Sequence, residues 1–345
     1  MRVLLTGHHG YIGSVMAPFL ATAGHEVVGL DSDLFERCIF GPQPAAFPSI
    51  RRDVRAVELA DFHGFDAVIH LAGLSNDPLG NLNPDVTYEI NHTASVRLAH
   101  LAKQAGVRRF LFSSSCSIYG AAGDKILNET AEFNPVTPYA RSKVLVEQEL
   151  SKLAGPTFSP VSLRNATAYG VSPRLRCDLV LNNLVGWAFT THRVLIQSDG
   201  TPWRPLVHIE DIARAFLAAL EAPVEAVHNR AFNVGRNQEN YQIRDLAEIV
   251  RKTVPGCEIE YVSRGGPDAR CYRVDFSQIA EALPGFKPTW DAQQGARELY
   301  EAFRAVSLDA EALNGPRYMR VGHIQKMLDN GALDTSLRWT SVAAY

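Results

Sequence analysis

The sequence predicts an α/β protein: a doubly wound parallel sheet, with a smaller, discontinuous domain after it. Two observations predict it. From Val3 to Asn165, short β-rich runs alternate with amphipathic stretches of helical length, the rhythm of βα units with both sheet faces covered. The first run, VLLTG, leads straight into a glycine-rich turn and then an apolar helical stretch to Ala23. Pro18 inside that stretch makes its helix less regular without abolishing it.

The later elements come in chain order. HEVVGLD, DAVIHLAG, RRFLFSSS and FSPVSLRNA read as strands. Helices are expected over Val86 to Ala105 and Pro138 to Leu153, where apolar residues recur at three- and four-residue spacing. Beyond Tyr169 come a Pro- and Arg-bearing segment, a helix near Leu179 to Thr190, and GTPWRPLVHIEDIARAFLAAL. AFNVG reads as a β run that returns to the first sheet. The expected division is a first domain over 1–170 with 206–236 returning to it, and a second over 171–205 and 237–345. A helical pattern from Tyr318 to Leu328 either closes over a site or packs at a subunit boundary. Thr340 to Tyr345 is expected to fray.

Composition excludes several function classes. With 34 Lys+Arg against 37 Asp+Glu among 345 residues, the formal charge of -3 gives no basic surface for nucleic acid. No apolar run approaches the ~18 residues of a membrane span. Met1 to Gly7 reads as a strand and turn rather than a signal peptide. The five cysteines are far apart and form no CxxC pair, which argues against disulfides and zinc and makes a reducing cytosol the default. The histidines show no metal-ligand spacing, and His70 reads as a packed or hydrogen-bonded residue.

Two motifs carry chemistry. In TGHHGYIG, Gly7, Gly10 and Gly13 stand between strand and helix, where glycine lets backbone approach a ligand and the helix start offers N–H groups to a diphosphate. Asp31 ends the second strand, where a carboxylate accepts hydrogen bonds from an adenosine ribose and repels a 2′-phosphate. No arginine directly follows it, so NAD is favoured over NADP. Asp53 and Val54 are candidates to meet the adenine. The second motif pairs Tyr139 and Lys143, four apart and on one helix face. A phenol is a poor base near neutral pH, and a neighbouring ammonium, a helix start and a cationic nicotinamide would each favour phenolate. Ser113, Ser114 and Ser115 end the fourth run, where a hydroxyl can hold a substrate oxygen or relay its proton to Tyr139.

TGHHGYIG, Asp31, VIHLAG, FSSSCSIYG and YARSK, in this order and spacing, resemble the extended short-chain dehydrogenase/reductase family, in particular its NAD-dependent nucleotide-sugar epimerase/dehydratase branch. The resemblance runs to about Tyr300. It implies a Rossmann domain, a tightly held NAD bound by the motif Gly7, Gly10, Tyr11, Ile12 and Gly13, and a homodimer packed through the helices around Val86–Ala105 and Tyr139–Leu153. It also implies that Ser115, Tyr139 and Lys143 are catalytic, and that Lys143 and Ser113 belong to the cofactor site. Leu71, Ala72 and Gly73 would line the cofactor channel, and Asn91 would fill a structural position.

On the substrate side, the stretch from Arg164 to Arg204 holds five arginines against two acids, which suits a diphosphate. By resemblance, Asn165 would meet the substrate phosphate, and Arg204, Arg264 and, more weakly, Arg270 its diphosphate. LSNDPLG, from Leu74 to Gly80, reads as either a sugar pocket or a simple loop. The expected activity is therefore epimerisation of a nucleotide-diphosphate sugar, at C4 through a 4-keto intermediate. A 4,6-dehydratase or a keto-sugar reductase is the alternative. In dehydratases of the family an Asp-Glu pair directly follows the catalytic Thr, whereas here Ser115 is followed by Cys116 and Ser117, with no carboxylate before Asp124. Cys116 itself reads as a small buried residue.

Overall fold

A computed structural model describes residues 1–75, 77–196, 198–261 and 271–340. Its centre is a seven-stranded sheet built from β1 (Arg2–Thr6), β2 (Glu26–Asp31), β3 (Ser49–Arg51), β4 (Ala67–His70), β5 (Arg109–Ser115), β6 (Ser159–Asn165) and β7 (Arg230–Val234). Their order across the sheet is β7-β6-β5-β4-β1-β2-β3, and every neighbouring pair is parallel. β7 runs beside β6 with Phe232 opposite Leu163. The strands are apolar because both faces are covered. Val3, Leu5, Ile69, Leu111 and Val161 pack under one helical layer, and Leu4, Val68, Phe110 and Phe112 under the other.

α1 (Gly13–Thr22), which does contain Pro18, covers one face beside the helix Ile209–Glu221. α2 (Ala94–Gln104) and α3 (Pro138–Leu153) cover the other. Thr137 caps α3 by accepting the Ala140 N–H (3.2 Å), and Pro138 takes its first turn, where no N–H is needed. A third core, with Tyr169, Leu184, Leu206, Leu246, Leu299 and Phe303, builds the remainder of the molecule beside the sheet.

The helix expected from Val86 to Ala105 is present, running without interruption over 84–104, but it is not α-helical throughout. A helix over Pro84–Tyr88 passes through a π turn at Glu89–Thr93 before α2 begins. Asn91 lies in that turn and spends its amide on Leu74, accepting its N–H (2.7 Å) and donating to its carbonyl (2.9 Å). The wider turn serves the loop after β4 rather than helix regularity. At the chain's end Thr340 is anchored, its hydroxyl donating to the Gly331 carbonyl (2.7 Å); positions 341–345 lie outside the described residues. Among the described residues no helix is long and apolar enough to cross a membrane.

Candidate active site

The C-terminal ends of β1, β2, β4, β5 and β6 open into a cavity of about 570 Å³. It lies where the strand order reverses between β1 and β4, the place such sheets bind ligands. At one end Gly7, Gly10, Tyr11, Ile12 and Gly13 form its floor. Gly7 sits at φ +76°, and a Cβ there would meet the Ala72 nitrogen at 2.8 Å. A Cβ on Gly13 would lie 2.2 Å from the Gly7 carbonyl oxygen, so the turn closes only with glycine. α1 has no capping side chain, but its Ser14 and Met16 N–H groups reach the Gly10 (3.1 Å) and Ile12 (2.9 Å) carbonyls, so the N–H groups that face a ligand anion are those of the turn itself, Tyr11 to Gly13.

Asp31 lines the same end. One carboxylate oxygen accepts the His9 N–H (3.0 Å) and the other the Asp33 N–H (2.9 Å), while burial holds the carboxyl above its usual range. Asp53 and Val54 line it as well. The Asp53 carboxylate is already engaged, taking the Arg55 guanidinium at 2.6 Å. The glycine cradle, the uncapped helix and a carboxylate at the end of β2 fit a dinucleotide: the cradle for its diphosphate, Asp31 for a ribose.

The other end gathers the second motif. Leu71, Ala72, Gly73, Ser113, Ser115, Tyr139 and Lys143 all line the cavity. Ser115 Oγ accepts the Ser117 N–H (3.2 Å) and lies on the Tyr139 side of the cavity, where it favours the ionised phenol. Lys143 Nζ donates to the Ser113 carbonyl (2.7 Å) and lies 5.6 Å from the centre of the Tyr139 ring. Burial outweighs the nearby charges, lifting Tyr139 to about 12 and lowering Lys143 to about 8. Ser115 and Arg176 pull the phenol back toward ionisation, and Asp77 opposes them. His70 is buried between Thr6 Oγ1 (2.7 Å) and Ser95 Oγ (2.8 Å), with its pKa lowered to about 3 through burial.

Behind this wall lies a buried network. Ser114 Oγ donates to Glu147 (2.5 Å), and Glu147 pairs with Arg164 (2.7 Å). Arg164 also donates to Tyr119 Oη (3.0 Å). Cys116 is buried, its thiol donating to the Arg164 carbonyl (3.1 Å).

Of the expected substrate residues, Asn165 and Arg204 line the cavity. Asn165 donates to Ser113 Oγ (3.0 Å), while its Oδ1 is buried without a partner among the described residues. Arg264 and Arg270 lie outside the described residues. Leu74, Ser75, Asp77 and Pro78 bring the LSNDPLG loop into the cavity wall. Asp77 comes from that loop and Arg176 and Asp178 from the arginine-rich stretch, without an individual role read from sequence, whereas Arg320 and Leu337 were not singled out at all. Arg176 donates to Ser75 Oγ (3.0 Å) and pairs with Asp178 (2.9 Å). The arginine excess after Arg164 pointed to that region, but nothing local marked Arg320 or Leu337.

The model of the NAD dependent epimerase/dehydratase family matches residues 3–235 of this chain. The chain belongs to that family. The matched span of this NAD-dependent family member runs from β1 through β7 and contains the glycine turn, Asp31, Ser115, Tyr139, Lys143 and Arg204. The chain is 27% identical over 328 residues to the UDP-glucose 4-epimerase of Bacillus subtilis (strain 168), covering 87% of this chain and 94% of that one. To the UDP-glucuronate 4-epimerase of Thermodesulfobacterium geofontis (strain OPF15) it is 26% identical, covering 85% and 93%. Among solved structures, MoeE5 in complex with UDP-glucuronic acid and NAD superposes with a TM-score of 0.76 at 28% identity, covering 89% of this chain and 100% of MoeE5.

Proposed function

We propose that the protein is an NAD-dependent epimerase of a nucleotide-diphosphate sugar, acting at C4 through a 4-keto intermediate. The observation that carries this is the convergence of Ser115, Tyr139 and Lys143 in the cavity that Asp31 and the glycine turn also line. NAD, when bound, supplies the hydride acceptor and donor. Tyr139, through or beside Ser115, removes the C4 hydroxyl proton and later returns it. Lys143, oriented by the Ser113 carbonyl, presents its N–H groups to the cofactor ribose and favours the phenolate. Asn165 and Arg204 hold the substrate diphosphate, with Arg264 and Arg270 as the further candidates.

The two residues after Ser115 favour epimerisation over water loss. Cys116 is turned into the core, and burial raises its thiol far above neutral pH. Ser117 lines the cavity but is no acid for a departing hydroxyl. Of the carboxylates near that end of the cavity, Asp77 accepts from Thr137 Oγ1 (2.5 Å) and Asp178 pairs with Arg176, and neither directly follows Ser115 in the chain. The UDP-sugar 4-epimerases among the relatives support the same choice. The reading extends to a cytosolic homodimer paired through α2 and α3, for which light scattering should give twice the 38.0 kDa chain mass.

The test is incubation of the purified protein with UDP-, GDP-, dTDP- and CDP-sugars, with products read by mass spectrometry and proton NMR. The expected product is an epimer of unchanged mass from at least one of them. A product lacking one water, formed only when Tyr139 is intact, would overturn epimerisation in favour of dehydration.

A further inference from the structure

Arg320 begins α4 (Arg320–Asp329), beyond the span matched to the family. It nevertheless lines the cofactor end of the cavity beside Leu34, Phe35 and Asp178. Its guanidinium carbon lies 4.3 Å over the Phe35 ring, and Nη2 donates to the Arg174 carbonyl (2.8 Å). Nη1 has no hydrogen-bond partner among the described residues, although only 2% of the residue is exposed. No carboxylate among those residues lies within ion-pair distance of it. The charged and titratable groups around it are Arg174, Arg176, Asp178, His323 and the thiols of Cys38 and Cys177. Arg174 is also buried, with Nε and Nη1 unpartnered among the described residues. The first turn of α4 carries no acidic residue and no capping side chain. A buried cation beside two others, at the positive end of a helix, is costly unless an anion meets it.

Geometry selects the anion. The loop carrying Arg174 is stapled to the glycine turn: Ser172 Oγ donates to the Tyr11 carbonyl (2.8 Å), and Tyr11 Oη to the Gly170 carbonyl (2.7 Å). Arg174 also feels Asp31 and Asp33. The rest of the C-terminal segment is fixed at the same end. Arg55 donates to the Ser336 carbonyl (2.6 Å), Trp339 Nε1 to the Ser32 carbonyl (2.6 Å), and Leu337 lines the cavity at φ +59°, a strained conformation for leucine.

We propose that Arg320 is a ligand for the diphosphate of the bound dinucleotide, and that the segment 320–340 is a wall of the cofactor site. This rests on NAD occupying the glycine-turn end. The guanidinium would add a charge-assisted, two-pronged contact to the N–H groups of the glycine turn. The unmatched C-terminal segment would then make NAD slow to leave, as an epimerase that returns its hydride to the same substrate requires.

The experiment compares Arg320→Met, Arg320→Lys, Asp31→Ala and the parent, all full-length and stripped of cofactor. Calorimetry reads NAD affinity, melting is followed with and without NAD, and KM for the nucleotide sugar is taken at saturating NAD. Arg320→Met should bind NAD roughly tenfold or more weakly, the worth of a charged hydrogen bond. Its cofactor-free melting should match or exceed the parent's, because an unpaired buried charge is gone. Arg320→Lys should recover part of the affinity, and the sugar KM should stay within about twofold, since Arg320 does not touch that substrate. Should Arg320→Met not fold, a weakened but natively melting Arg320→Lys supports the assignment, and full affinity in it overturns it. Unchanged NAD affinity with lower cofactor-free stability makes Arg320 structural and overturns the proposal. Unchanged NAD affinity with a raised sugar KM assigns the anion to the substrate and overturns it too. If the parent and Asp31→Ala bind NAD equally poorly, the cofactor reading itself fails.

Discussion

Two walls of one cavity treat buried arginine in opposite ways. Behind the serines, Arg164 has every carboxylate contact it can use: Glu147 takes Nε and Nη2 (3.1 and 2.7 Å), and Glu147 in turn accepts from Ser114. Across the cavity Arg320 lines the wall and is equally buried, with Arg174 near it but not lining the cavity, and guanidinium nitrogens of both have no partner among the described residues. The first wall is complete as protein, tying the end of β5 to α3 and β6. The second leaves guanidinium nitrogens unpartnered among the described residues, where we propose that an anion binds. Burial alone therefore does not tell scaffold from binding site; the state of the hydrogen bonds does.

The comparison breaks or sharpens at definite places. The largest effect belongs to the finished wall's reactive edge. Tyr139→Phe should keep fold and bound NAD yet lose turnover by a factor on the order of 10² to 10⁴; a rate near the parent's would place the base elsewhere. Next is the buttress. Arg164→Met leaves the Glu147 carboxylate buried without its cation, at a cost of about 3–5 kcal/mol in a denaturant titration. If stability barely changed, Arg164 and Arg320 would not differ in the way described.

Asp31→Ala comes third. It removes the carboxylate at the ribose position and should weaken NAD about ten- to hundredfold while changing NADP much less. Equal loss for both would remove the ribose assignment.

The last effect is a pH dependence of stability at Lys143. Its ammonium titrates at about 8 in the folded protein against 10.5 when unfolded. Between those values the unfolded chain carries the proton and the folded chain does not, so stability rises with pH across that window. Lys143→Met should melt at or above the parent at neutral pH and lose the rise between pH 8 and 10.5. A variant that keeps the rise would point to another titrating group.

Legibility in the sequence divides by distance along the chain instead. The glycine turn, the Asp at the end of β2 and the Tyr/Lys pair one helical turn apart were legible at both ends of the cavity, because each lies within a few residues of sequence. The parallel sheet was legible for the same reason: unbroken apolar runs betray strands buried on both faces. The π turn at Glu89–Thr93 was not, since it depends on Asn91 reaching Leu74 across the fold. Nor was Arg320 or Leu337, which reach the cavity only after more than three hundred residues have folded around it. The desolvation of the phenol was not legible, because neighbouring charges can be read from spacing, whereas burial depends on everything packed around Tyr139.

The measurement that tests epimerisation most directly tracks one hydrogen. A nucleotide sugar deuterated at C4, chosen as a substrate from the panel, is turned over in ordinary water and its product examined by NMR and mass spectrometry. If hydride leaves and returns within the closed site, the product is the C4 epimer, with unchanged mass and deuterium still on C4. Deuterium found at C6 in a product lacking one water, or washed out into added NAD, would contradict it.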